Sequence, residues 1–366
     1  MVVQYKCPSC GADMQYDAES RKLKCTGCGR LMAVDAMKKG GEKEGEEIAP
    51  FSADEIEDEA SFGRIGEEAG SGAFGEGEGC QYVCNNCGAV VVTTTDTTAT
   101  TCSFCGAPVV LGDRLTGKKA PVFVIPFKIG KEQAMAAFRK WCGNGKLTPK
   151  DFMTADRIKN ITGMYVPFWL FDMEGTGEAD CTATRVRTYS QGEYICTETK
   201  YYHVYRRLNM VYSKVPVDAS EKMNDEMMDK LEPFSYSELA PFEMPYLAGY
   251  LAEQYNYDDK ELLPRVTERV KRYASQYLAS TITGYSTVTY NHKEIRLNPV
   301  NARYTLLPVW MVCYDYRDSE HIFAMNGQTG KIVGKPPLSN KKIALWFTGI
   351  SAAAFAVMRL VSMFLV

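Results

Sequence analysis

Four Cys-x-x-Cys pairs constrain this chain more than any other feature. Cys7-x2-Cys10 is followed by Cys25-x2-Cys28, and Cys84-x2-Cys87 by Cys102-x2-Cys105. Adding 77 to each position of the first set gives the second. The flanking glycines obey the same shift, Gly11 to Gly88 and Gly29 to Gly106. The chain therefore carries one module twice. Two knuckles supply four thiolates to one tetrahedral ion, and the glycine after each knuckle lets the backbone turn sharply past the sulfurs. Fourteen residues between knuckles suit a short hairpin, with Val90 to Thr95 as one β-rich arm.

Three chemistries use such cysteines. Disulfides need an oxidising compartment, and Met1-Val2-Val3-Gln4-Tyr5-Lys6-Cys7 holds no apolar stretch of the kind that directs export. Iron–sulfur ligation has no additional spacing cue. Zinc fits best, as two structural ions held by Cys7, Cys10, Cys25 and Cys28, and by Cys84, Cys87, Cys102 and Cys105. Segments of about thirty residues bury too little apolar surface to fold alone, so metal must supply much of their stability. Cys80 reads as a spare thiol.

Charge is distributed unevenly. Residues 1–117 carry 10 Lys/Arg against 19 Asp/Glu, whereas residues 118–366 carry 32 against 26. The second module, from Cys80 to Gly112, has one Asp and no Lys or Arg, which suits phosphate binding poorly. The modules therefore read as scaffolds or protein contacts, and nucleic acid is not the expected partner. Residues 38–79 hold 13 acidic and 4 basic residues with 10 glycines. They read as an acidic linker, either a self-repelling spacer or a short motif whose Phe51, Phe62 and Phe74 anchor it on a basic partner.

From Pro121 the texture is that of a folded α+β body. Lys131 to Cys142 has helical periodicity, and Ala134, Phe138, Trp141 and Cys142 share one side. Residues 183–217 read as an antiparallel sheet turning at Ser190-Gln191-Gly192-Glu193. Ser220 is the expected cap of a charged segment ending near Pro233. Pro245 to Tyr255 suggests a short helix and Asp259 to Ser280 a longer one. Strands are expected at Tyr285 to Tyr290, Glu294 to Leu297, Tyr304 to Tyr316 and Ile322 to Asn326, with a turn at Asn291-His292-Lys293. Met164 to Asp172 echoes Thr305 to Asp315, each an apolar run broken by Pro, so the body is either a duplicated unit or one sheet with two equivalent strands.

His203, His292 and His321 sit in no H-E-x-x-H, and neither G-x-S-x-G nor a phosphate-binding G-x-x-x-x-G-K-[ST] occurs. Cys142, Cys181, Cys196 and Cys313 read as core residues. No enzyme and no small-molecule substrate is expected.

Lys341-Lys342 precede Ile343 to Val366, which contain one charge, Arg359. Such a helix spans roughly 36 Å, enough for the hydrocarbon core. Trp346 is placed as an interfacial aromatic. Lys331, Lys335, Lys341 and Lys342 put the preceding chain on the cytoplasmic side. The expected organisation is α+β: zinc ribbons at 1–37 and 80–117, a linker at 38–79, the body at 118–340 and a single-pass membrane anchor at 341–366.

Cys-Pro-Ser-Cys-Gly-Ala, Cys-Asn-Asn-Cys-Gly-Ala, the long body and the terminal apolar segment together resemble bacterial TFIIB-type zinc-ribbon membrane proteins. Those commonly carry the label of a primosomal replication-restart helicase, although the nucleotide motifs of a helicase are missing here. Some such proteins look like membrane adaptors of phage-shock or SPFH-type envelope-stress systems. The resemblance implies an adaptor at the bacterial cell membrane, with protein partners of that kind and membrane lipid, and it leaves a homo-oligomer open. The rival class is a nucleic-acid-binding or transcription-associated protein, which predicts a basic face on the body. A third class, a hydrolase, predicts a polar pocket at the histidines.

Overall fold

The computed structural model describes residues 2–40, 80–115, 120–143, 145, 147–149, 152, 161–316 and 319–365. The expected acidic linker lies outside the described residues from residue 41 on, as do Phe51, Phe62 and Phe74. The architecture is α+β. The first module comprises β1 (Val2–Val3), β2 (Met14–Asp17), β3 (Lys22–Cys25), β4 (Leu31–Met32) and a 3-10 helix over Val34–Gly40. The second comprises β5 (Cys80–Val83), β6 (Val90–Thr93), β7 (Thr97–Thr101) and β8 (Pro108–Leu111). The body continues with β9 (Phe123–Val124), α1 (Lys131–Gly143), β10 (Ile161–Gln191), β11 (Tyr194–Asp218), α2 (Asp225–Leu231), β12 (Ala240–Pro241), β13 (Leu251–Glu253), α3 (Asp259–Ser280), β14 (Thr287–Tyr316), β15 (Ser319–Asn326) and β16 (Ile332–Gly334). It ends in α4 (Asn340–Leu365).

Three very long antiparallel strands, in the order β11-β10-β14, organise the body. The strand β10 alone has 31 residues, against a usual five or six. At about 3.3 Å per residue it extends for roughly 100 Å. The expected turn at Asn291-His292-Lys293 is instead a bulge within β14, because Asn291 is an extra residue between Tyr290 and His292. Its side chain donates to Asp180 Oδ1 (2.9 Å) and Thr182 Oγ1 (3.1 Å), so the insertion is satisfied without breaking the strand. A second irregularity lies in β11, where Lys214 takes φ +57° and its N–H donates to Asp172 Oδ1 (2.8 Å). The echoing segments are neighbours in one sheet, with Tyr165 opposite Pro308 and Pro167 opposite Leu306.

Two other expectations are corrected. Pro245 to Tyr255 is not one helix: a 3-10 turn over Met244–Leu247 stops before Gly249, whose φ is +94°, and the chain then enters β13. The cap of α2 is Asn224, whose side chain accepts the Met227 N–H (3.0 Å), while Ser220 is buried and donates to Glu253. By contrast α3 occupies Asp259–Ser280 as expected. Asp258 and Glu261 form a reciprocal capping box at its start.

One face of the outer sheet is covered by α3. Leu262, Val266, Val270, Ala274 and Leu278 recur at helical spacing and are buried. They lie over Met173, Ala179, Cys181, Ala183 and Val204. Close approach needs Gly177, where a Cβ would sit 3.0 Å from Met210 Cε and 3.6 Å from Leu278 Cδ2. The opposite face, with His203, Tyr205 and Arg296, is exposed.

Two candidate metal centres and an unburied terminal helix

Each module brings its four sulfurs together. All four Sγ atoms in each set lie within 4.8 Å of one another. Cys7–Cys28 and Cys10–Cys25 are 3.7 and 3.4 Å apart, and Cys84–Cys105 and Cys87–Cys102 are 3.8 and 3.7 Å apart. A tetrahedral ion with metal–sulfur bonds of about 2.3 Å requires edges of about 3.8 Å. A disulfide would need about 2.05 Å. The eight predicted ligands thus fit two four-thiolate centres, each with its coordination complete and no position for substrate.

The knuckles are built alike. The N–H groups of Gly11, Gly29, Gly88 and Gly106 donate to the carbonyls of Cys7, Cys25, Cys84 and Cys102 at 2.8–3.1 Å. All four glycines have φ between +71° and +73°, a conformation that a Cβ would strain. The Cys28 N–H points at Cys25 Sγ (3.4 Å) and helps pull that thiol down to about 6. The side chain of Asn86 donates to Cys105 Sγ (3.5 Å), the main cause that draws it down to about 6. At Cys10 the Ala12 N–H lowers the pKa, but the neighbouring Cys25 and Cys28 sulfurs outweigh it and push it up to about 11. First protons leave readily and later ones are held against accumulating negative charge, a balance that a bound dication relieves.

The modules differ in their mounting. The first keeps its own three-stranded sheet, β2-β3-β4, with the expected hairpin between knuckles. In the second, β6 pairs with β5, and β7 pairs with β8 on one edge and with β13 of the body on the other. With both edges of β7 occupied, the expected hairpin cannot form. The modules also touch each other: β1 pairs with β8, Lys6 Nζ donates to Asn86 Oδ1 (2.9 Å), and Gln4 Nε2 approaches Cys84 Sγ (3.7 Å). The sulfur-directed amides of Gln4 and Asn86 escaped the sequence reading. The Asn85-Asn86 pair inside the third knuckle was the available signal.

The remaining candidates are dispersed. His203 pairs with Asp180 (2.8 Å) and His292 with Glu294 (3.8 Å) on the open sheet face. His321 stacks near Phe152 and Phe323 at the other end of the body. Cys142 and Cys181 are buried, and burial pushes the Cys142 thiol up to about 12, as for an inert core residue.

The helix α4 has 26 residues, and Asn340–Arg359 is long and apolar enough to cross a membrane. None of that span is buried against the rest of the described structure. Its start is fixed to the body: Ser339 N–H donates to Leu147 O (2.8 Å) and Lys342 Nζ to Thr148 O (2.6 Å).

No protein-family model and no solved structure matches the chain. A curated relative from Bacillus subtilis (strain 168), the uncharacterized protein YdjG, is 50% identical over 363 residues, covering 99% of this chain and 98% of the relative.

Proposed function

The chain belongs to the family of Bacillus subtilis YdjG, and from that premise we propose that it is a non-enzymatic adaptor anchored in the bacterial cell membrane by α4. In this reading each four-cysteine centre holds a structural zinc ion, the metal that four thiolates in a closed tetrahedron suit best. The cysteine modules and the body face the cytoplasm, the side on which Lys331, Lys335, Lys341 and Lys342 would remain. The observation that carries the proposal is α4 itself. Leu345, Trp346, Phe347, Ile350 and Phe355 are all exposed on a helix of roughly 39 Å, a surface that water does not tolerate and a bilayer does. Tethering raises the local concentration of whatever the cytoplasmic part binds, so weak encounters become stable ones. Phage-shock and SPFH-type proteins are the partner classes that the resemblance suggests. The long β10–β11 hairpin, whose tip exposes Tyr194 and Ile195, offers such a partner a platform remote from α4.

Fractionation of the full chain beside a variant ending at Ser339 tests this. The full chain is expected in membranes after alkaline carbonate extraction, with two zinc ions per chain, and the shortened one in the soluble fraction. A full chain that washes off overturns the anchoring, and pull-downs without a specific protein overturn the adaptor role. Nucleic-acid binding remains the second reading, because the outer half of α3 is rich in cations. It predicts that log K falls by several units per unit of log salt.

A further inference from the structure

The two halves of α3 are electrostatically different. In the first half Arg265 and Arg269 pair with Asp225, Asp229 and Glu232 at 2.6–3.3 Å. Beyond Glu268 the helix carries no carboxylate, and Lys271 and Arg272 are exposed without a carboxylate partner among the described residues. The strands beneath add to this. Lys293 occupies the register opposite Ala179 on β14, and Arg206 the same level on β11. Arg185 follows Ala183 on the same side of β10. These three turn to neutral groups: Lys293 to Ser275 Oγ (2.5 Å) and the Tyr290 ring, Arg206 to Tyr205 O (3.0 Å), and Arg185 to Gly284 O (2.8 Å) between the Tyr202 and Tyr285 rings. Between α3 and β14 lies an open groove of about 330 Å³ lined by Glu268, Lys271, Arg272, Ser275, Lys293 and Ile295. Tyr273 and Tyr277 are exposed one turn apart on the other flank of α3, toward β11, where Tyr273 meets Arg269 and Tyr277 faces Tyr212. On the opposite sheet face the charges are compensated, Arg296 by Glu294 and His203 by Asp180. With Arg187 and Lys200 beyond Arg185, and Glu198 opposite Arg187, the α3 side of the long strands and α3's own Lys271, Arg272 and Glu268 together carry seven cations against two carboxylates.

We propose that this cationic face is the docking surface for the chain's own acidic segment, residues 41–79. The charges complement each other: the segment has 13 acidic and 2 basic residues, with Phe51, Phe62 and Phe74 spaced along it. The connection points allow it. Cys80 opens β5 opposite Thr93, and the adjacent Thr94 is bonded to Lys222, close to where α3 begins. The groove lies about 14 residues further along β10 than the Tyr165 level at which β13 pairs, or roughly 45 Å. The segment's 39 residues reach roughly 130 Å when extended, enough to go out and return. This inference does not depend on the metal or on the membrane.

Zero-length carbodiimide coupling of the full chain in detergent, followed by peptide mass spectrometry, tests it. Lys271 and Lys293 are expected to couple to Asp or Glu within 41–79, at least tenfold more than Lys128 does, which pairs with Glu238 elsewhere on the body. In a mixture of isotope-labelled and unlabelled chains the products should stay within one chain. Coupling should fall at least fivefold near 1 M salt, where the screening length is about 3 Å. Replacing Asp54, Glu55, Glu57, Asp58 and Glu59 with their amides leaves the folded body untouched, and should reduce the same products while exposing the face to added RNA. Coupling spread evenly over surface lysines overturns the proposal. So do products between differently labelled chains, which would assign the face to a second copy. RNA binding that is lost in Lys271→Glu/Arg272→Glu yet unchanged by the amide substitutions overturns it as well.

Discussion

The two cysteine modules share their spacing to the residue, yet they are held to the molecule by different forces. The first is mounted by side-chain packing. Met14, Tyr16 and Leu23 are buried in the same core as Phe127, Tyr165, Tyr250 and Trp310. The Tyr16 ring meets Tyr246 edge-on at 5.4 Å, and the Tyr16 N–H donates to Ala248 O (2.8 Å). The second has a small core of its own, with Val91, Val109 and Leu111, adds Ala99, Val110 and Leu115 to the shared core, and is joined to the body by backbone pairing of β7 with β13. Identical ligand chemistry thus supports unequal dependence. The first module lends the body large apolar residues such as Met14, Tyr16 and Leu23, and the second lends it a strand and a smaller apolar share, Ala99, Val110 and Leu115.

The largest expected effect comes from the ligands. Cys25→Ser and Cys102→Ser should each leave one bound ion of two. Loss of a structural ion removes about 5 kcal/mol or more from its module. Only Cys25→Ser should also lower the thermal midpoint of the body, followed by near-UV circular dichroism of the full chain in detergent, because Met14 and Leu23 then leave a shared core. Equal body midpoints in the two variants would break the comparison.

The mounting can also be cut without touching a ligand. Tyr16→Ala deletes a ring buried between Tyr246 and Tyr250, and should cost about 3–5 kcal/mol with both ions retained. Ala252→Pro removes an N–H from a strand paired on both edges, opposite Tyr165 and Ala99, and should cost about 3 kcal/mol. The two should differ in where proteolysis begins, near the first module in one and near Thr94–Asp96 in the other. Cleavage at the same site in both would mean that the modules share one mounting.

These forces were unequally legible in the sequence. The ligand sets were readable because four thiolates and two glycines lie within a short stretch of chain. Both α1 and α3 were readable because their apolar period and, for α3, the Asp258–Glu261 cap are local. The β7–β13 pairing was not, since Ala99 and Ala252 are far apart in the chain and a three-residue strand carries no periodic signal. The continuity of β14 was hidden for another reason. Asn291-His292-Lys293 has the composition of a turn, and only Asp180 and Thr182 on the neighbouring strand make it a bulge. The cationic face was equally hidden, because Arg185, Arg206, Lys271 and Lys293 come from four elements.

The smallest effect should come from the ion pairs across the second module's seam. Lys222 Nζ lies 3.2 Å from Asp96 Oδ2 of the module and 3.2 Å from Glu253 Oε1 of the body. Burial alone would raise the Asp96 carboxyl, but Lys222, with the Thr95 hydroxyl and Asn256, outweighs it and holds the group below the ordinary 3.8. A depressed acid contributes stability that is present above its unfolded pKa and lost as pH falls through the folded one. The lysine side chain is 39% exposed, so screening limits the pair to about 0.5–1 kcal/mol. A double-mutant cycle with Lys222→Met and Asp96→Asn should therefore give a coupling of that size, flat from about pH 8 to about pH 5, where both partners stay charged. A coupling that decays within this window would place the Asp96 titration above its ordinary range. The seam would then rest on the β7–β13 pairing and the Gln254 bonds to Asp96 O and Arg114 O, and the contrast between a packed module and a paired one would be sharper still.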